Sequence, residues 1–197
     1  EKSLSNYEVR FITGEWFEQY VYDEIKRSFE LDDTKILMGV KLNKEIKDNE
    51  NTIVKRLLNT DEVLIAKPDN EMDVIFMYNG SIYIVECKTS VIDLQDVEVE
   101  KGGVVQKKII ERNILGETIY KSDSLRTKFG LFAKSFIFTM TDFTNYTSTG
   151  SVSEINNKRR RMEELINRAT LSRISIVDRN MLMNCESFKQ LFISYAN

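Results

Sequence analysis

The chain has 197 residues, 42% of them hydrophobic, with 28 Lys+Arg against 31 Asp+Glu, a net charge of −3 and no histidine. This composition suits one packed domain, no apolar run nears the ~20 residues that cross a bilayer, and Cys87 and Cys185 are too few for a disulfide framework or a zinc site. Without histidine, imidazole acid–base pairs, His-based triads and His-metal sites are excluded, so any hydrolysis must use carboxylates, lysine and metal.

Residues 1–13 read as a lead-in, and Thr13-Gly14 opens a helix running from Glu15 to about Phe29, with Thr13 as N-cap. Phe17, Tyr20, Val21, Ile25 and Phe29 recur at helical spacing. Glu18 projects between Ile25 and Phe29, inside the apolar arc, where a carboxylate needs a partner. Glu24 falls in the same arc, so periodicity alone does not separate a site residue from an acid at the rim of the stripe. Thr34 to Leu42 is a strand, Asn43 to Asn59 a polar excursion with a short helix from Thr52, Val63 to Ala66 a short strand, and Pro68 a turn.

Asn70 to Thr89 is the most legible stretch. Asn79-Gly80 is a strong type I′ hairpin signal, since both central residues of that turn need positive φ. The first arm, Met72 to Tyr78, carries Asp73; the second, Ile82 to Lys88, is apolar until it ends in Glu86-Cys87-Lys88. Side chains alternate along a strand, so Glu86 and Lys88 share one face and Cys87 the other, with Val85 and Tyr83. Two carboxylates on adjacent strands can form an oxygen site for a hard cation such as Mg²⁺, and a lysine beside it can orient a water and offset phosphate charge. The alternative is an edge hairpin with a solvated salt bridge.

Beyond the hairpin, Val91 to Glu100 is acidic and Gly102-Gly103 is a break. Val104 to Leu115 suits helix or strand, with a hairpin arm or exposed insertion favoured. Ser122 to Phe129 reads as a short helix closed by Gly130, and Ala133 to Met140 as a strand. After the polar loop Asn145 to Ser153, a helix from Glu154 to Ala169 turns Ile155, Met162, Leu165 and Ile166 inward and carries the basic run Lys158-Arg159-Arg160-Arg161. A strand, Arg173 to Val177, precedes a closing helix from Cys185 to Ala196 with Phe188, Leu191, Phe192 and Tyr195 as its stripe. The order predicts an α/β fold, a mixed sheet flanked by helices.

The spacing Asp-x₁₂-Glu-x-Lys resembles the core of the PD-(D/E)XK nuclease superfamily. A narrower likeness covers nearly the whole chain, through Gly14-Glu15-Trp16-Phe17-Glu18, Asn70-Glu71-Met72-Asp73-Val74, Ile84-Val85-Glu86-Cys87-Lys88-Thr89, Tyr120-Lys121-Ser122-Asp123-Ser124-Leu125, Lys128-Phe129-Gly130 and Arg168-Ala169. These stretches resemble the nuclease domains fused to CARF sensors, the CRISPR-associated effectors activated by cyclic oligoadenylate. The resemblance implies a restriction-endonuclease-like fold over residues 1–197, Mg²⁺- or Mn²⁺-dependent cleavage of single-stranded RNA or DNA or nicking of duplex DNA, and a homodimer. It implies Glu18, Asp73, Glu86 and Lys88 as the active site, with the Cys87 carbonyl as a further metal ligand. Arg126 and Lys128, on the short helix after the hairpin, are the first candidates for phosphate contacts, ahead of Lys158–Arg161.

Two features depart from that pattern: residues 91–117 form a long insertion candidate, and no CARF domain lies within these residues. The chain does not begin with Met, so a leader or partner domain outside it is an open question. The cysteine content suits a reducing compartment, hence the cytoplasm. With a pI near 5.3, attraction to nucleic acid must come from a local basic surface. The competing reading is an inactive nucleic-acid-binding or dimerisation module with the same fold.

Overall fold

A computed structural model describes residues 14–41, 71–101, 104–130 and 132–194. Thr13, the 43–59 excursion, the 63–66 strand, Pro68, Gly102-Gly103 and Tyr195 lie outside the described residues. Helix α1 (Trp16–Phe29) buries Phe17, Val21, Ile25 and Phe29, and Glu30 ends it in the left-handed region at φ 53. Tyr20, expected on the buried stripe, is instead 44% exposed at its edge, its ring against Phe188.

Strands β1 (Ile36–Lys41), β2 (Glu71–Tyr78) and β3 (Ser81–Lys88) form an antiparallel meander. The β2–β3 turn is Asn79-Gly80, with φ of 49 and 74, the positive values its sequence requires. A separate two-stranded hairpin follows, β4 (Ile92–Lys101) against β5 (Val104–Asn113), so residues 104–113 are a hairpin arm. Helix α2 (Ile114–Phe129) then leads to β6 (Ala133–Thr139), which lies parallel to β3. The short α3 (Phe143–Tyr146) and long α4 (Val152–Leu171) lead to β7 (Ile174–Val177), parallel to β6. Helices α5 (Arg179–Asn184) and α6 (Phe188–Ser194) close the described residues. The sheet order is β1-β2-β3-β6-β7. This mixed five-stranded sheet with helices on both faces is a restriction-endonuclease-like α/β fold.

On one face α1, α5 and α6 cover Val74, Phe76, Tyr83, Val85, Cys87, Phe136, Phe138 and Val177. Phe192 is the hub of that layer, its ring within 4.5 Å of Phe136 and 5.3 Å of Phe76, centre to centre. On the other face Leu115 and Ile119 of α2 and Met162, Leu165 and Ala169 of α4 pack on Ile137 and Ile174, and Leu125 packs with Ile84 and Met72. Both parallel crossovers thus lie on the face where Glu86 points.

Three further expectations are corrected. The helix expected from Ser122 begins at Ile114, because Asn113 caps it through the Gly116 N–H at 2.9 Å and burial of Leu115 and Ile119 outweighs a strand-like, glycine-containing sequence. The closing helix expected from Cys185 begins at Phe188, and a separate short helix that the sequence reading did not include, α5, precedes it. Asp178 accepts from the Met181 N–H, Ser187 Oγ accepts from the Gln190 N–H, and Cys185 between them is extended. Ile166 is 41% exposed, since α4 sets its inward face on Met162, Leu165 and Ala169.

Candidate active site at the end of the central hairpin

The β2–β3 register runs from Val74 opposite Val85 to Tyr78 opposite Ser81. Carried one step further, it sets Asp73 opposite Glu86 on the same face of the sheet. Asp73 is 6% exposed and Glu86 0%. Asp73 Oδ2 accepts from the Cys87 backbone N–H at 2.7 Å and from Lys88 Nζ at 3.1 Å. Lys88 Nζ also donates to the Cys87 carbonyl at 3.0 Å and lies 3.6 Å from Glu86 Oε2. The lysine therefore bridges one oxygen each of Asp73, Cys87 and Glu86, the three groups put forward from the sequence as metal ligands. The Met140 N–H donates to the Lys88 carbonyl at 3.2 Å, tying this strand end to the end of β6.

A residue that the sequence pattern does not single out completes the cluster. Lys121, on α2, donates from Nζ to Glu86 Oε2 at 2.7 Å. The other oxygen, Glu86 Oε1, is buried with no hydrogen-bond partner. A buried oxygen left bare carries its full desolvation penalty unless a ligand or ion takes it.

Electrostatics follow from this crowding. Burial raises the Glu86 pKa to about 7, Asp73 adds to the rise, and Lys121 and Lys88 oppose it. Glu18, on α1, is likewise raised to about 7, by burial first and then by Asp73, with Lys88 opposing. Glu18 thus sits within electrostatic range of the hairpin carboxylates, on the element that the sequence suggests. Burial pulls the Lys88 pKa down, but Asp73 and Glu86 outweigh it and hold the ammonium above its ordinary value. The buried Cys87 thiol is pushed well up and stays protonated, which leaves its carbonyl as the usable donor.

Among the described residues no three Asp, Glu, Cys or His side chains gather closely enough to cage a metal. The candidate donors are the two carboxylates and the Cys87 carbonyl, with Glu18 linked to them through its electrostatic interaction with Asp73. Mg²⁺ is commonly held in this way, through one or two carboxylates while retaining water, rather than in an all-protein cage. The bare Glu86 Oε1 fits such an ion.

The basic candidates lie on α2 and α4. Arg126 is paired with Asp123 at 3.1 Å, its side chain 14% exposed and its Nε buried without a partner. Lys128 is exposed in the last turn of α2. Lys158 donates to the Thr149 carbonyl at 2.9 Å and lies 5.0 Å above the Tyr146 ring, while Arg159, Arg160 and Arg161 are exposed.

A family model described as "Card1-like, endonuclease domain" matches residues 5–184. The chain belongs to that family, a CRISPR-associated nuclease family of the PD-(D/E)XK type. No curated protein matches it in sequence. Among solved structures, the crystal structure of protein VC1899 from Vibrio cholerae resembles it with a TM-score of 0.53 at 18% identity, covering 100% of this chain. The chain spans 38% of the length of that protein, and the likeness concerns the fold alone. No helix among the described residues is long and apolar enough to cross a membrane.

The raised Glu86 pKa has a signed consequence for stability. A carboxylate whose folded pKa of about 7 exceeds the ordinary 4.5 costs nothing below pH 4.5, destabilises increasingly between 4.5 and 7, and costs its full amount above 7. In EDTA, Glu86→Gln should therefore gain stability over wild type on going from pH 5 to pH 8, by up to about 3 kcal/mol. Urea denaturation at the two pH values checks this; a gap that does not change with pH contradicts the buried, strained carboxylate.

Proposed function

We propose that the chain hydrolyses phosphodiester bonds in nucleic acid, with Mg²⁺ or Mn²⁺ held by Asp73, Glu86 and the Cys87 carbonyl, and Glu18 completing the set directly or through water. Glu86 carries the reading: it is fully buried, one oxygen faces two lysines, and the other is bare. A strand end needed only for packing would be more cheaply filled by an apolar side chain.

When bound, the ion neutralises charge at the scissile phosphate and makes a coordinated water more acidic. Asp73 is aimed by the Cys87 N–H and by Lys88, so its carboxylate is set before substrate arrives. Lys88 acts as a fixed positive charge and hydrogen-bond donor. It orients the attacking water and offsets charge that builds on the phosphate.

The same reading makes this a defence effector of the cytoplasm, working as a homodimer under a sensor domain. A single-chain mass in light scattering would remove the dimer from it.

Asp73→Asn and Glu86→Gln should each abolish cleavage of single-stranded and duplex substrates at ordinary Mg²⁺, with the fold retained by circular dichroism. Lys88→Ala should still bind Mn²⁺ in calorimetry and lose on the order of 10²–10³ in turnover, the scale of a lost transition-state donor. Retained cleavage in either carboxylate variant removes the site assignment; wild-type turnover in Lys88→Ala leaves that lysine a structural role.

Arg126 and Lys128 are proposed to bind substrate phosphates, because their helix leaves the site directly after Lys121. Binding of the Arg126→Ala/Lys128→Ala double variant, measured against salt in Ca²⁺, should show a log–log slope flatter by roughly one unit for each phosphate no longer neutralised. An unchanged slope there, with a flatter one after neutralising Lys158–Arg161, moves the path to α4.

A further inference from the structure

Helix α2 is fixed on the sheet by Ile119 and Leu125, each 1% exposed or less, and Lys121 lies between them in sequence at the rim of the buried layer. Its Nζ is 2.7 Å from Glu86 Oε2, closer than the 3.6 Å that separates Lys88 Nζ from the same oxygen. Lys88 is committed to Asp73 Oδ2 and the Cys87 carbonyl, at 3.1 and 3.0 Å. Lys121 is therefore the group that holds Glu86. With Oε2 taken, Oε1 is the oxygen left buried without a partner. The terminal torsion of a glutamate is broad and roughly two-fold, so the backbone alone does not decide which oxygen points where.

We propose that Lys121 is a positioning residue of this site: it pins Glu86 through Oε2 and so presents Oε1 to the divalent cation. Partners of this kind, bonded to a ligand and not to the ion, orient ligands in many metal centres. The inference rests on the metal-dependent reading above. It also opposes what charge alone gives, because an ammonium beside a cation site, taken by itself, repels the cation.

That opposition supplies the test. Mn²⁺ is titrated calorimetrically into wild-type protein, Lys121→Met and Lys121→Arg. Loss of orientation predicts Mn²⁺ binding about 10-fold or more weaker in Lys121→Met, with affinity restored in Lys121→Arg, which keeps a donor and a charge. Equal or tighter binding in Lys121→Met overturns the role of Lys121, as expected of a bystander charge. Failure of Lys121→Arg to restore affinity overturns it as well. Lys121→Ala carries the same expectation as Lys121→Met and replaces it if that variant does not fold in EDTA. Wild-type protein that binds no Mn²⁺ overturns both this inference and the metal-dependent reading, an outcome distinct from a difference confined to the variants.

Discussion

The site depends on one costly arrangement, the carboxylate of Glu86 held at 0% exposure at the end of β3. Taking an ionised carboxylate out of water costs several kcal/mol even after relaxation, and attraction to a partner repays this only with good geometry. Two elements supply that geometry from different sides. Lys88 comes from the same strand two residues on, and Lys121 comes from the crossover helix. Around them Glu18, Asp73 and Glu86 set three carboxylates against two ammoniums, and the raised pKa values of Glu18 and Glu86 register the imbalance. The cation proposed above would offset it.

The fold explains why these groups meet. The meander places Asp73 and Glu86 side by side, and the parallel pairing of β3 with β6 forces a crossover that lays α2 over their face. Helix α1 reaches the same end of the sheet from the other layer, anchored by Phe17 and Val21, and so brings Glu18 into range. Each layer contributes one charged residue through an element whose position is set by aromatic and aliphatic burial. Chemistry at the strand ends is thus positioned by a core that contains none of it.

Much of this is legible in the sequence, for local reasons. The Asn79-Gly80 turn fixes its own conformation, alternation fixes the faces of β3, and both together place Asp73, Glu86 and Lys88 before any tertiary neighbour is known. Glu18 is legible only as one of two acids in an arc, because helical phase gives direction and not distance; Asp73 separates it from Glu24. Lys121 is hidden by a boundary. Gly116, Thr118 and Ile119 are weak helix formers next to a strand-like run, so local propensity starts the helix one residue after the lysine that matters. What extends it is burial of Leu115 and Ile119 against the sheet, a tertiary effect that no local window carries. The start of the last helix at Phe188 is readable in principle from Ser187, and the short helix before it from its cap Asp178.

The central claim is that these oxygens form a cation site, and diffraction from crystals soaked in Mn²⁺ tests it most directly. The account predicts an anomalous peak between Asp73 and Glu86, with the Cys87 carbonyl among its ligands, metal–oxygen distances of about 2.0–2.2 Å, and Glu86 Oε1 as the coordinating oxygen. Saturating Mn²⁺ that leaves no peak there, or that binds only at carboxylates elsewhere on the surface, would contradict it.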